Sequence, residues 1–380
     1  MTSGDVVSEY IINQNKWLIP AYLVFVGART PERRKLALAA ICTTYLLIAL
    51  IVLRRIPISS VSSGMELTQR GLKVLEQAFG WSRVNTATVL AGGAWAIYLS
   101  TNFLTNGRFK WLPLGLFGLS SISLALTGGR MGYGAWAAIG GIFSAWRWRK
   151  GILLLPLAMA LVLAFVPSVQ QRLLQGISTN SGDTEIKDAS ELTSGRTDAW
   201  PVAIDRISAS PWFGYGRHAM VRTGASAEVA RREGLKEGER GFPHPHNMYL
   251  RIMMDSGLIG TVPILLMYLI ILKRSASICR YKKGEAASIG MATLSLVLAL
   301  LIAGLGSQDV FPVQGTIAMW ASVALALRVH RDMVLGVYQA PELMTEPAEE
   351  TVQAKTANAA NEPEPLWEKA RGDAARSRYL

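Results

Sequence analysis

The chain is poor in charged residues and in the residue types that build disulfide or metal scaffolds. Only 17% of its 380 residues are Asp, Glu, Lys or Arg, whereas a soluble globular protein carries about 25%. This deficit argues against a series of soluble domains. There are two cysteines and four histidines, and no cysteine pair has the spacing of metal ligands. Half of the residues are hydrophobic, which excludes a chain that is disordered throughout.

The charges that are present are mostly positive. Lys and Arg number 39 against 27 Asp and Glu, which gives a formal net charge of +12. These positive residues lie in the gaps between long apolar runs, so they do not indicate a basic patch for nucleic acid. With a mean hydropathy of +0.26, the pattern predicts a multi-pass membrane protein embedded in a lipid bilayer. The first residues are not a positively charged leader, and no cleavable signal peptide is expected.

Apolar runs that approach the thickness of a membrane recur along the chain. A spanning helix needs roughly 20 mostly apolar residues. Eight segments meet or approach this length: 36–53, 87–104, 111–126, 131–146, 151–166, 257–272, 287–305 and 313–329. Segment 17–27 is a weaker ninth. The sequence therefore predicts an all-α polytopic membrane protein with about nine transmembrane helices and one large loop, residues 167–245.

The positions of Lys and Arg predict the orientation, because positive residues remain on the cytoplasmic side of a membrane. Clusters occur in alternate gaps: 29–35, 108–110, 147–150, 273–283 and 328–331. This arrangement places the loop 167–245 and the turns 128–130 and 306–312 outside, and the carboxyl-terminal tail inside. Arg54 and Arg55 lie on the wrong side in this scheme.

The loop 167–245 is long enough to have a function of its own. It contains ten Lys or Arg and ten Asp or Glu, so it is charge-balanced and unlike a basic tail. Part of it is predicted to be a helix that begins near Thr197, a residue type that caps helices, and ends at Pro211. Its apolar residues recur at helical spacing on one face: Trp200, Ala203, Ile204 and Ile207.

A glycine-rich turn, LTGGRMGYG at 126–134, places Arg130 between two predicted spans. A charge at the edge of a membrane helix is costly unless it has a partner or a task. The amides that open the next helix favour an anion, and the glycines would let a phosphate approach the backbone. The alternative is an arginine that extends to the membrane surface at a tight turn.

A second arginine, Arg196, precedes the predicted loop helix in the sequence SGRTDAW. A guanidinium group is always charged and binds phosphate oxygens in a bidentate manner. A cation at a helix start gains nothing from the helix dipole, which is consistent with an anionic ligand. The alternative is an exposed surface arginine that is screened by Asp198.

Two of the four histidines, His244 and His246, lie in FPHPHNMYLRIMMDSGLIG at 242–260. A histidine here is suited to act as a general base, since an imidazole changes charge near neutral pH. Metal binding by the H-x-H pair is a rival, with His218 as a third ligand. The other rival gives His246 no role beyond its place next to Asn247, a good helix cap.

Taken together, these residues indicate two arginines and a histidine that face a cavity at the outer membrane edge. Arginines suit a phosphate-bearing leaving group, and a histidine suits the activation of a hydroxyl. A lipid diphosphate would fit such a site, because its tails can lie between the helices. The main alternative from another functional class is a transporter for a lipid-linked or anionic solute. A non-catalytic scaffold is a third possibility. The transporter is less favoured, since charges deep in the spans are scarce.

At these residues the chain resembles the O-antigen ligase and O-antigen polymerase superfamily of bacterial inner-membrane glycosyltransferases. The matching pieces are GGRMGYGAW, SGRTDAWPVAIDRISASPWFGYGRH and HPHNMYLRIMMDSGLIG. The last contains His246 and Asn247, nine residues, Gly257, two residues and Gly260, which is similar to the H-N-x9-G-x-x-G pattern of the ligases. The resemblance covers residues 111–329. Family ligases have more spans than are found here, so by comparison with them we expect a shortened amino-terminal part.

The resemblance implies a GT-C-like fold that transfers a glycan from undecaprenyl diphosphate to an acceptor hydroxyl at the periplasmic face, without metal, cofactor or nucleotide sugar. His246 would be the catalytic base, and Arg130 and Arg196 would bind the diphosphate. Arg217 is a weaker candidate for a phosphate contact. The acceptor would be a lipid A–core sugar in a ligase, another lipid-linked repeat in a polymerase, or Ser or Thr in a protein glycosyltransferase. The motif at 246–260 favours the ligase.

Three regions follow from this reading. Residues 1–110 would form amino-terminal transmembrane and interfacial helices, with 65–79 as the interfacial one because its apolar residues recur at helical spacing. Residues 111–329 would be the ligase-like catalytic core that includes the periplasmic loop. Residues 330–380 would be a disordered cytoplasmic tail, rich in Ala, Glu, Pro and Thr from Pro341 onward.

Overall fold

The computed structural model describes several separate stretches of the chain. The described residues are 8, 12–56, 73–147, 196–232, 243–280, 284–306 and 313–338. The predicted span 151–166, the first part of the large loop and the tail from 339 lie outside the described residues. Of the predicted interfacial helix 65–79, residues 73–79 are described, and they are helical.

Eight of the nine predicted spanning segments coincide with helices. The first five helices are α1 (Asn13–Gly27), α2 (Pro31–Arg55), α3 (Arg83–Leu104), α4 (Leu112–Leu126) and α5 (Arg130–Trp146). The large loop forms α6 (Arg196–Ala209), α7 (Ala219–Arg222) and α8 (Ala225–Arg232). The last helices are α9 (Met248–Ile278), α10 (Glu285–Ala303) and α11 (Ile317–Val334), the last preceded by a 3-10 turn at Gln314–Thr316.

Three of the described helices are long and apolar enough to cross a membrane, namely α2, α9 and α10. The shorter α4 is also apolar. Large apolar side chains on the second half of α9 are exposed, including Leu266, Leu269 and Ile270, as expected of a surface that faces lipid. The fold is therefore a helical membrane protein, and the count of about nine spans stays a prediction.

The bundle is organised around α10, which is buried on nearly all sides. Its main partner is α3. At Gly92 of α3, an added Cβ would lie 2.9 Å from Cβ of Ala299, and the hydroxyl of Ser295 donates to the carbonyl of Gly92 at 3.2 Å. Small residues and hydroxyl groups of this kind let membrane helices approach closely and bind each other.

One end of the bundle is joined by a buried ion pair. Arg34 of α2 donates from Nε and Nη2 to the two carboxylate oxygens of Glu285 at 2.9 and 2.8 Å. The hydroxyl of Tyr338 donates to the same carboxylate at 2.9 Å. Both charged side chains are almost completely removed from solvent. We call this the ion-pair end, and the opposite end of the bundle, where the large loop attaches, the loop end.

At the loop end, α6, α7 and α8 pack with the first half of α9 around a small apolar core. The predicted loop helix is confirmed and begins at Arg196, one residue before the predicted cap. Its predicted buried face is partly wrong, because Ile204 is 50% exposed whereas Ala199 and Val202 are buried. The buried stripe is rotated toward these smaller residues, since α6 packs against α8 and α9 together.

Candidate functional site

The segment that carries His246 leads directly into α9. Asn247 caps this helix, because its Oδ1 accepts from the backbone N–H groups of Tyr249 and Leu250 at 2.9 and 3.2 Å. His246 has a φ of +49°, in the left-handed region that non-glycine residues seldom adopt and that is often found at functional sites. Its half-buried ring lies edge-on to that of His244, with the ring centroids 4.5 Å apart. The predicted cap is confirmed, and His246 precedes it in an unusual backbone conformation.

Two hydrogen bonds fix the start of α9 to the end of α10. The backbone N–H of Met248 donates to the carbonyl of Gly304 at 2.8 Å, and the hydroxyl of Tyr249 donates to the carbonyl of Leu301 at 2.8 Å. An added Cβ on Gly304 would lie 2.9 Å from Cε of Met248. His246 is therefore tied to the loop end of the most buried helix.

The loop helix α6 contacts the histidine segment. The indole N–H of Trp200 donates to the carbonyl of Pro245 at 2.9 Å, the residue that precedes His246. Arg196 is the first residue of α6, one turn ahead of Trp200. The first turn of α6 thus lies next to the His246 segment, while the side chain of Arg196 is outside the described part of the chain.

Arg217 lies near a carboxylate. It is within electrostatic range of Asp255, whose Oδ1 accepts from the backbone N–H of Ala219 at 3.2 Å and whose Oδ2 is 3.8 Å from Nε of Arg251. Asp255 and Arg251 also line a cavity of about 170 Å³ between α7, α9 and the His244 segment. Because Asp255 offsets part of its charge, Arg217 is less suited to a phosphate contact than an arginine without such a neighbour.

The motif glycine Gly257 forms a joint with the loop. It has φ +57° and ψ −164° and interrupts α9, and an added Cβ would lie 2.3 Å from the carbonyl oxygen of Trp212. The backbone N–H groups of Tyr215 and Gly216 donate to the carbonyls of Met254 and Asp255, and those of Leu258 and Ile259 donate to the carbonyls of Pro211 and Trp212. The loop therefore replaces the hydrogen bonds that the break removes.

The glycines around Arg130 serve helix packing. Added Cβ atoms on Gly129 and Gly132 would lie 2.4 and 2.6 Å from Cβ of Ala87 in α3. The expectation that these two glycines leave room for a phosphate is therefore wrong, because α3 fills the space. Arg130 itself is the half-buried first residue of α5.

Arg130 and His246 lie at the same end of the bundle. A cavity of about 370 Å³ is lined by Thr88 and Val89 of α3 together with Leu300 of α10, and Gly92 contacts Ser295, so the two helices are antiparallel. Since α5 packs against Ala87, Arg130 lies beside the start of α3. Because α3 and α10 are antiparallel, the start of α3 lies beside the end of α10, to which the His246 segment is hydrogen-bonded.

The predicted residues are thus brought to one end of the molecule, in two groups. The first turn of α6 adjoins the His246 segment, whereas Arg130 lies at the α3–α5 contact. Among the described residues, no group of three or more His, Cys, Asp or Glu is arranged to hold a metal ion. The sequence analysis did not single out Asp255, which interacts with Arg217, or Arg83, which interacts with Arg130. Neither residue has a local pattern that distinguishes it from an ordinary charge next to an apolar run.

Comparison with known proteins supports the same region. Residues 115–265 match the model of a family described as O-antigen ligase. This segment includes the turn with Arg130, the loop helix α6 and the histidine segment through Gly260. The match confirms the resemblance to the O-antigen ligase and polymerase superfamily that the motifs predict. No curated protein matches the chain.

Proposed function

We propose that the chain is an O-antigen-ligase-like glycosyltransferase that moves a glycan from undecaprenyl diphosphate to an acceptor hydroxyl. The favoured acceptor is a lipid A–core sugar. The observation that carries the proposal is the hydrogen bond from Trp200 to Pro245, because it connects the helix that begins with Arg196 to the segment of His246. Both partners lie in the part of the chain that matches the O-antigen ligase family.

In the proposed reaction, the imidazole of His246 accepts the proton of the acceptor hydroxyl. The hydroxyl oxygen then bonds to the anomeric carbon of the donor glycan, and the bond between that carbon and the phosphate oxygen breaks. The electron pair of the broken bond leaves with undecaprenyl diphosphate. Arg196 and Arg130 stabilise the charge on this leaving group, since guanidinium groups bind phosphate oxygens in a bidentate manner.

The proposed location follows from the same arrangement. The protein would lie in the bacterial inner membrane with its loop end in the periplasm, where the large loop covers the site. The exposed apolar surface of α9 would contact lipid, so that the polyprenyl chain of the donor reaches the site from the bilayer. The proposed reaction needs no metal and no cofactor, because an arginine-held diphosphate and a histidine base account for each proton and charge.

The test is in-vitro transfer by the purified full chain in lipid nanodiscs, with an undecaprenyl-diphosphate glycan as donor and lipid A–core as acceptor. We expect His246→Ala to lower the transfer rate about 100-fold or more, as is typical for loss of a general base. Arg196→Ala should also lower it. His330→Ala is the matched control, because this histidine lies on α11 with its Nε2 3.0 Å from Nη1 of Arg274, at the ion-pair end.

Transfer by His246→Ala and Arg196→Ala at the wild-type rate would refute the catalytic assignment. EDTA should leave the rate unchanged, and a loss that zinc restores would favour a metal bound by His244 and His246. If the wild type instead extends a lipid-linked repeat or modifies Ser or Thr of a protein, the enzyme is a polymerase or a protein glycosyltransferase of the same superfamily.

A further inference from the structure

Arg83 is a half-buried arginine that the family match does not cover. It is the first residue of α3 at the loop end and precedes the matched segment 115–265. Within the described part of the chain, its Nη1 is buried and has no hydrogen-bond partner. A guanidinium group keeps its charge in proteins, and burial of a charge without a partner is costly. Burial of this charge without a partner for Nη1 is therefore unfavourable in the absence of a ligand.

No carboxylate among the described residues offsets the charge of Arg83. The titratable groups that act on it in the described residues are Arg130 and Tyr133, and neither is a carboxylate. The hydroxyl of Tyr133 donates its proton to the carbonyl of Ala125. The backbone of Arg83 is also close to the turn of Arg130, because an added Cβ on Gly129 would lie 3.6 Å from the carbonyl oxygen of Arg83.

Three unfavourable terms thus coincide at one position. The side chain is partly buried, a second guanidinium lies near it, and a cation at the start of a helix opposes the helix dipole. One bound anion would relieve all three, since it would pair with both arginines and lie at the positive end of α3.

We infer that Arg83 and Arg130 together form a binding site for a phosphate-bearing anion at the contact between α3 and α5. Under the proposed function, on which this assignment of the occupant rests, the anion is the diphosphate of the lipid-linked donor. The headgroup of an anionic bilayer lipid has the same chemistry and is the other source. Arg83 is then a ligand-binding arginine that lies outside the segment matched by the family model.

The binding experiment uses the full chain in nanodiscs of phosphatidylcholine and measures the affinity for farnesyl diphosphate by calorimetry. Arg83→Gln should weaken binding about tenfold or more, the effect of one lost charge-assisted hydrogen bond. Arg83→Lys should weaken it less, because the charge remains without the planar fork. Arg108→Gln is the matched control, since this exposed arginine follows the opposite end of α3, and it should bind within about twofold of the wild type.

Two further measurements identify the occupant and exclude a structural role. Without ligand, Arg83→Gln should unfold at the wild-type temperature or above it, because an unfavourable charge is removed. In nanodiscs of phosphatidylglycerol without farnesyl diphosphate, stabilisation of the wild type but not of Arg83→Gln would support the anion site with a bilayer headgroup as its occupant. Equal behaviour of Arg83→Gln and Arg108→Gln with both ligands would overturn the inference, as would a lower unfolding temperature for ligand-free Arg83→Gln.

The outcome is separable from that of the proposed function. Binding through Arg83 by a protein that transfers no glycan would refute the transferase and leave the anion site in place. Transfer that depends on His246 but not on Arg83, with unchanged diphosphate affinity in Arg83→Gln, would refute the anion site alone.

Discussion

Arg34 and Arg83 are two arginines at the starts of helices, at opposite ends of one bundle, and their surroundings differ. Arg34 is almost fully buried and donates to both oxygens of Glu285 and to the carbonyl of Arg29. Arg83 is half-buried, lies near a second arginine and, in the described residues, has no partner for its Nη1. The first charge is used to join helices, whereas the second is left in a state that an anion would stabilise.

The two ends of the bundle differ in the same way. At the ion-pair end, side-chain charges hold elements together, including Arg328, which donates to Asp332 and to the carbonyl of Phe25. At the loop end, α9 is joined to the loop through backbone hydrogen bonds on both sides of Gly257. Side chains contribute there as well, since Asp255 accepts from the backbone N–H of Ala219 and Arg206 of α6 pairs with Glu228 of α8 at 2.9 Å.

The largest effect is expected from removal of one member of the ion pair. Arg34→Gln leaves the carboxylate of Glu285 buried without its cation, which costs about 3–5 kcal/mol. Thermal unfolding in detergent should show a drop in Tm of many degrees or a loss of folded protein. The double variant Arg34→Met with Glu285→Leu should recover much of the loss, because neither charge of the pair is then left buried without the other. An unchanged Tm for Arg34→Gln would show that this end is not held by the pair.

For Arg83, the expected change in unfolding temperature differs in sign from that for Arg34. Arg34→Gln is expected to lower the unfolding temperature of the ligand-free protein, whereas Arg83→Gln is expected not to lower it. The two substitutions change charge by the same amount at helix starts, so they differ only in what surrounds the arginine. If both lowered Tm equally, the distinction between a structural and a ligand-binding arginine would fail.

Some of this architecture is readable from local sequence. The apolar runs 36–53 and 287–305 correspond to α2 and α10, since length and hydropathy are properties of the segment itself. The cap at Asn247 is also local, because a cap binds amides two and three residues ahead. The loop helix α6 was predictable for the same reason, although its buried face depends on partners that are distant in sequence.

Other features depend on residues far apart in the chain. Arg34 and Glu285 are 251 residues apart, and each resembles an ordinary flanking charge of an apolar run. Gly257 is visible as a motif residue, but its contact with Trp212 follows from how the loop docks. Arg83 has no distinguishing local pattern at all, and only the packing of α5 against α3 places it next to Arg130.

An intermediate effect is expected at the joint between α9 and the loop. Gly257→Ala places a Cβ 2.3 Å from the carbonyl of Trp212, in a backbone conformation that costs a non-glycine residue about 1–3 kcal/mol. The loop should separate from α9. We therefore expect a clear loss of transfer activity with only a small decrease in Tm. Gly134→Ala is the matched control, because an added Cβ there meets nothing within 4 Å. Equal activity of the two variants would show that the joint does not position the site.

The smallest effect is expected at the hydrogen bond between Trp200 and Pro245. Trp200→Phe keeps an aromatic ring in the partly buried position but removes the donor, which costs about 0.5–1.5 kcal/mol. If this bond aligns α6 with the His246 segment, the transfer rate should fall by several-fold while Tm changes by only a few degrees. Trp212→Phe removes an indole from an exposed position of the same loop and should leave the rate near that of the wild type. Since the loop end is joined mainly through the backbone, a large drop in Tm for Trp200→Phe would show that this side chain holds the fold as Arg34 does, and the contrast between the two ends would no longer stand.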